Sequence, residues 1–200
     1  MSQPEGLDAA GARLAEQTIV SRAQEGDLAS FEVLLRQYQG PLFRLANRML
    51  LDRSDAEDVV QDTMVLVWRR LPTLSDPALF RGWLYQIATR RCLAVLRTRT
   101  RRQTSALGSD ELQQAHDEAH TDDPRPDDPA SAAQFAAQLR GLDAVLQTLT
   151  AEQRACWVLR EMHDLTYMEI AYAMDLPVSA VRGRIARARQ NLLKGMATWR

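Results

Sequence analysis

Cysteine is almost missing from this chain: only Cys92 and Cys156 occur, far apart and each inside an apolar helical pattern. Two such thiols exclude a disulfide framework and read as small, reduced core residues. Histidine is equally sparse, and the single pair at ligand-like spacing, His116 and His120, stands in a polar stretch with no third ligand nearby. Neither a metal, nor a cofactor, nor a catalytic centre is therefore expected. No run of about eighteen apolar residues exists, and the opening MSQPEGLDAAGARLAEQ has neither a basic head nor an apolar stretch. Membrane insertion and a secretory leader are not expected, and the expected location is the cytoplasm. The alternation of apolar and polar residues that marks half-buried strands is lacking too, as is any internal repeat.

Excess charge is also wanting, for the formal net value is only −1, but the charges are segregated. Residues 81–102 carry Arg81, Arg90, Arg91, Arg97, Arg99, Arg101 and Arg102 with no acid. Residues 103–133 then carry eight acids against Arg125 alone. From 176 onward Arg182, Arg184, Arg187, Arg189, Lys194 and Arg200 face no carboxylate. A near-neutral total thus conceals two cationic patches, the kind of surface that attracts a polyanion.

The acidic stretch is interrupted by Pro124, Pro126 and Pro129 and has too little apolar surface to fold alone. It reads as a flexible linker over 103–130, dividing an extension at 1–22 and a unit at 23–102 from a second unit at 131–200. Both units read as helical, so the expected class is all-α, two small helical domains. Capping boxes are expected at Ser54 with Glu57, Thr150 with Gln153 and Thr166 with Glu169. Asp76–Pro77 offers another helix start; Gly26 and Gly40 read as helix ends. The spacing predicts helices near 12–25, 28–39, 41–51, 55–70 and 77–100, then 132–148, 151–163, 167–173 and 178–197. His163 reads as a helix-end residue.

A short capped helix from Thr166 to Ala173, a tight connection over Met174–Pro177 and a second helix from Val178 form the layout of a helix-turn-helix. Val178, Val181, Ile185, Ala188 and Leu192 make one apolar stripe, expected to dock on Ile170, Ala171 and Leu176. The opposite face centres on Ser179, Gly183 and Ala186, with Arg182 and Arg189 on one side and Arg184 and Arg187 on the other. Small residues in the middle permit close approach to a major groove, and flanking arginines suit phosphates and guanine edges. A solvated basic helix is the plain alternative. Gly183 weighs against it, since a mid-helix glycine costs about 1 kcal/mol relative to alanine.

In the first unit, Asp55, Asp58 and Asp62 share a helix face with Gln61 beside them. The first-turn acids suit the helix dipole, but Asp62 lies beyond that turn, so the stripe also reads as a protein-docking surface. The next helix joins Phe80, Trp83 and Tyr85 to a train of arginines. Rings that stack unpaired bases and cations that follow a backbone are what single-stranded nucleic acid needs. Phe80, Leu84 and Ile87 share one face and are equally read as core.

In this order the stretches SDAEDVVQDTMVLVW, RGWLYQIA with its arginine tail, and LTYMEIAYAMDLPVSAVRGRIARAR resemble bacterial sigma factors of the extracytoplasmic-function (ECF) type, from about Ala23 to Leu193. The resemblance implies a factor that binds core RNA polymerase, directs it to promoter DNA and assists opening, with an anti-sigma protein as an expected kind of regulator. It implies that Asp55, Asp58, Gln61 and Asp62 contact the clamp helices of the polymerase. It further implies that the loop from Thr73 to Leu79 and the aromatic start of the following helix capture an unstacked minus-10 base, so Phe80, Trp83, Tyr85, Arg90 and Arg97 are the candidates there. Arg182, Gly183, Ala186 and Arg187 are implied for the minus-35 element, joined by Ser179 and Arg184 from helix geometry. The chain departs from the family pattern at Thr89, Arg90 and Ala94. An ordinary helix-turn-helix regulator with palindromic sites is the competing expectation; an enzyme is a distant third.

Overall fold

The structure, a computed structural model, describes residues 5–106 and 141–197. Among these residues every regular element is helical: α1 (Glu5–Gln24), α2 (Leu28–Leu50), α3 (Arg53–Arg70), two single 3₁₀ turns (Leu71–Thr73 and Pro77–Leu79) and α4 (Phe80–Ala106). After the interval come α5, described over residues 141–147, α6 (Ala151–Glu161), α7 (Tyr167–Met174) and α8 (Val178–Ala197). His116, His120 and most of the expected linker lie outside the described residues.

Local chemistry sets most boundaries. Thr150 and Thr166 each accept from the third helical amide, while Gln153 and Glu169 reach back to the capping residue's own N–H, so both expected boxes form. Gly26, at φ 94°, takes the left-handed turn between α1 and α2. Asp76 caps the turn at Pro77 by accepting from the Ala78 N–H. That turn is 3₁₀, and α4 proper starts at Phe80 and runs on to Ala106, beyond the expected end near 100.

Two expectations fail. Ser54 does not cap α3; Asp52 does, accepting from the Asp55 N–H at 2.9 Å, and Ser54 lies inside the helix. Leu51 ends α2 in a left-handed conformation, so Asp52 is the first residue in extended geometry, and its carboxylate takes the exposed amide. Gly40 does not end a helix either: α2 passes through Gly40 and Pro41 without a break. The ring removes a backbone donor and crowds the preceding turn. Against that, Leu34, Tyr38, Leu42, Leu45, Ala46 and Met49 form one unbroken buried face, which a bend would split.

The first four helices enclose Leu34, Leu42, Leu45, Met49, Leu71, Phe80 and Leu84. In the second unit Val181 and Ile185 of α8 are buried with Ile170 and lie against Ala171 and Leu176, the expected docking. Ala188 and Leu192 close over Val145, Leu146 and Leu149. The larger core is continuous between the units, running from α4 into Cys156, Leu159, Leu165 and Met174. Both thiols are fully enclosed, and burial pushes their pKa up, Cys92 to about 12 and Cys156 to about 11.

Candidate functional site

The acidic stripe on α3 is divided by its partners. Asp55 is half-buried and held by Arg99 of α4, which also bonds Asp52 at 3.0 Å and donates to the Leu50 carbonyl at 2.9 Å. Arg99 thereby ties the end of α2 to the start of α3. Asp58 and Gln61 are exposed, and Asp62 is exposed with Arg91 at 2.9 Å. Beside Gln61 runs a groove between α2 and α3, floored by Leu35, Phe43, Val60 and Met64 and edged by Val65, Arg44, Arg53 and Glu57. Reading the sequence did not find this groove. Its signal was Val65, an apolar residue on the polar face, and it is 47% exposed. Acid beside an apolar trough suits a partner helix bearing both cations and aliphatic side chains.

Along α4 the candidates separate by depth. Phe80 is enclosed, its ring edge-on to Tyr38 at 5.6 Å, and Trp83 is half-buried against it. Tyr85 is also buried, and what covers it is the second unit: its hydroxyl and Nδ1 of His163 are hydrogen-bond partners at 3.0 Å. Arg81 donates to the His163 carbonyl at 2.5 Å, and Gln86 donates to the Tyr172 carbonyl at 2.8 Å. Arg90 lies 3.8 Å from Asp175. Arg97, Arg101 and Arg102 are exposed. Of the departures from the family pattern, Thr89 is fully buried and Ala94 is exposed.

Helix α8 presents Ser179, Arg182, Ala186 and Arg187 to solvent, with Gly183 between them half-exposed. Arg182 lies over the Tyr167 ring at 5.4 Å. Arg184 is drawn back, giving Nε and Nη2 to one carboxylate oxygen of Glu152 at 2.8 and 2.6 Å, and Arg189 is held by Glu161 at 2.6 Å. Nothing in the fold needs a glycine at 183, since a Cβ there would meet only the Arg187 guanidinium in ordinary contact. The outer face therefore carries small residues at its centre, with Arg182 and Arg187 exposed at its edges. Among the described residues no three His, Cys, Asp or Glu side chains gather as a metal site, and no helix is long and apolar enough to cross a membrane.

The family model described as Sigma-70 region 2 matches residues 34–102, and that described as Sigma-70, region 4 matches 139–192. The RNA polymerase sigma-H factor of Pseudomonas aeruginosa is 31% identical over 183 residues, covering 90% of this chain and 93% of that protein. This chain belongs to the ECF sigma factors. The ECF sigma-E factor of Escherichia coli K12 is 31% identical over 179 residues, covering 89% of this chain and 92% of the relative. The ECF sigma factor SigE of Mycolicibacterium smegmatis is 34% identical over 165 residues, 82% of this chain and 61% of that longer protein. Among solved structures, CnrH in complex with the cytosolic domain of CnrY aligns at TM-score 0.65 with 24% identity, over 92% of this chain and 98% of that one. RpoE with the anti-sigma factor NepR from Bartonella quintana aligns at 0.67 with 21% identity, over 86% and 100%. These two share the fold. As an ECF sigma factor, the chain directs RNA polymerase to promoters in transcription initiation. Region 2 spans most of α2 through α4, and region 4 spans α5 through α8.

Proposed function

We propose that the chain performs this role without catalysis of its own, in the cytoplasm with the polymerase, through three surfaces. Asp58, Gln61 and Asp62, with the groove between α2 and α3, receive the clamp helices of core polymerase. Asp55 supports that surface from within, because its carboxylate is committed to Arg99. On α4, Trp83, Tyr85, Arg90 and Arg97 engage the opened minus-10 strand, with Phe80 anchoring the helix from the core. On α8, Arg182 and Arg187 flank Ser179, Gly183 and Ala186 in the major groove of the minus-35 element, and Arg184 contributes when Glu152 releases it. The units at 23–102 and 131–200 act together, each adding a modest contact that is strengthened by tethering on the polymerase.

The observation that carries this reading is the outer face of α8, made of small residues and free of acids at its centre, on a chain whose other unit presents an exposed carboxylate stripe. RpoE, which shares this fold, was solved in complex with the anti-sigma factor NepR, and a regulator of that kind would compete with polymerase if it docked on the α2–α3 groove of this chain. In vitro transcription with core polymerase across fragmented genomic DNA tests it. Discrete start sites dependent on the protein, sharing two spaced elements, are expected; tight palindrome binding without polymerase, and no such starts, would overturn it.

A further inference from the structure

The seam between the two units covers one side of α4. Arg81, Tyr85, Gln86 and Arg90, spaced along that side, are all engaged by the α6–α7 turn or the end of α7. A second anchor lies at a distance, where Arg48 of α2, only 4% exposed, pairs with Asp143 at 2.5 Å. The outer face of α8 is open in the same arrangement. One reading helix is therefore free while the other is half covered.

The seam is also imperfectly satisfied. His163 is 7% exposed, and its Nε2 has no hydrogen-bond partner, although its Nδ1 is engaged by Tyr85. Arg154 of α6 is buried beside Arg99 with its Nε unpartnered. Polar groups buried in this state cost free energy that a dry, apolar seam would avoid. Such a junction is suited to opening. The groups facing His163 are Tyr85 and Arg81 from α4, Arg44 from α2, and Asp164 in its own turn. The doubly protonated ring would hold an Nε2–H with no acceptor and place a third cation beside two arginines, opposed by Asp164 alone.

Building on the sigma-factor reading, we propose that the docked arrangement is a self-masking state. The C-terminal unit covers Tyr85 and pairs with the exposed Arg90, the seam must open before α4 engages single-stranded promoter DNA, and His163 is the group whose protonation opens it. Burial and the two arginines hold the imidazole pKa down, near 4 instead of 6.5. Docking therefore weakens as pH falls below 6.5, by up to about tenfold per pH unit until the lower value is reached.

The test uses the full chain, with small-angle X-ray scattering for compactness, circular dichroism for helicity and anisotropy of a labelled oligo-dT for single-strand binding. Wild-type protein is expected to be compact near pH 7.5 and, with helicity retained, to expand and bind oligo-dT several-fold more tightly near pH 5. His163→Gln keeps a neutral partner for Tyr85 and should lose the acid response. His163→Arg, and independently Asp143→Ala, should open the protein at neutral pH and raise oligo-dT affinity. Gln147→Arg, an exposed change on α5, reports the effect of added charge alone. Expansion without gain in oligo-dT binding, equal acid expansion in His163→Gln, or an open wild type at neutral pH would each overturn the proposal. Promoter-directed transcription is scored separately with core polymerase. Its absence from wild type and opened variants alike counts against the sigma-factor reading, while scattering still judges the seam.

Discussion

The hydroxyl of Tyr85 on α4 and Nδ1 of His163 after α6 lie 3.0 Å apart, 78 residues distant in sequence, with their rings 5.2 Å apart and tilted by 58°. This contact joins the helix that carries the minus-10 candidates to the unit that carries the minus-35 candidates.

While docked, His163 holds a pKa near 4, depressed first by burial and then by Arg44 and Arg81; because its protonation opens the seam, the observed midpoint should fall between that value and 6.5. A depressed pKa means the unfolded or undocked chain takes up the proton first. The neutral ring's contribution is thus complete above about 6.5 and is lost as pH falls through about 4, a difference on the order of 3 kcal/mol. Proton NMR of the imidazole, assigned by comparison with His163→Gln, measures it. A midpoint near 6.5 in the compact protein would refute the buried placement.

Asp58 and Asp55 should respond differently to substitution. Asp58→Lys alters an exposed side chain and is expected to leave the thermal midpoint within about 2 °C of wild type. Capture of core polymerase should nonetheless fall at least about tenfold, as for a charge facing a partner. Asp55→Ala removes a carboxylate from Arg99 and should lower the melting temperature as well. Polymerase capture by tagged protein together with calorimetry separates the two. Full capture by Asp58→Lys would remove that residue from the docking surface.

Gly183→Ala should stabilise and inactivate at once. The Cβ meets only a movable guanidinium at 3.6 Å, and the helix gains about 1 kcal/mol. If α8 enters the major groove as proposed, the same methyl would occupy space needed for close approach, so minus-35-dependent transcription should drop while the melting temperature rises. Arg187→Ala should weaken that transcription more than Arg184→Ala, because Glu152 already holds Arg184. An active Gly183→Ala would show that the glycine has no part in DNA approach.

Pro41→Ala is expected to raise stability. The residue lies within α2, where proline costs up to about 3 kcal/mol relative to alanine. Urea denaturation should show a higher midpoint with an unchanged slope. A lower midpoint would mean that the ring's own packing outweighs its backbone cost.

How much was legible in the sequence depended on distance along the chain. The boxes at Thr150 and Thr166 were readable because donor and acceptor stand three residues apart, so their geometry is local. The stripe of Val181, Ile185, Ala188 and Leu192 was readable because helical periodicity alone brings those side chains to one side. These features settled the helical class, the helix-turn-helix and the presence of two units. Tertiary structure decided the rest. It carried α2 through Gly40 and Pro41 by giving both halves one buried face, and it withdrew Asp55 from the acidic stripe through an arginine 44 residues away. It also enclosed Tyr85 beneath His163. Burial and ion pairing depend on which distant segment arrives at a surface, and no local pattern records that meeting.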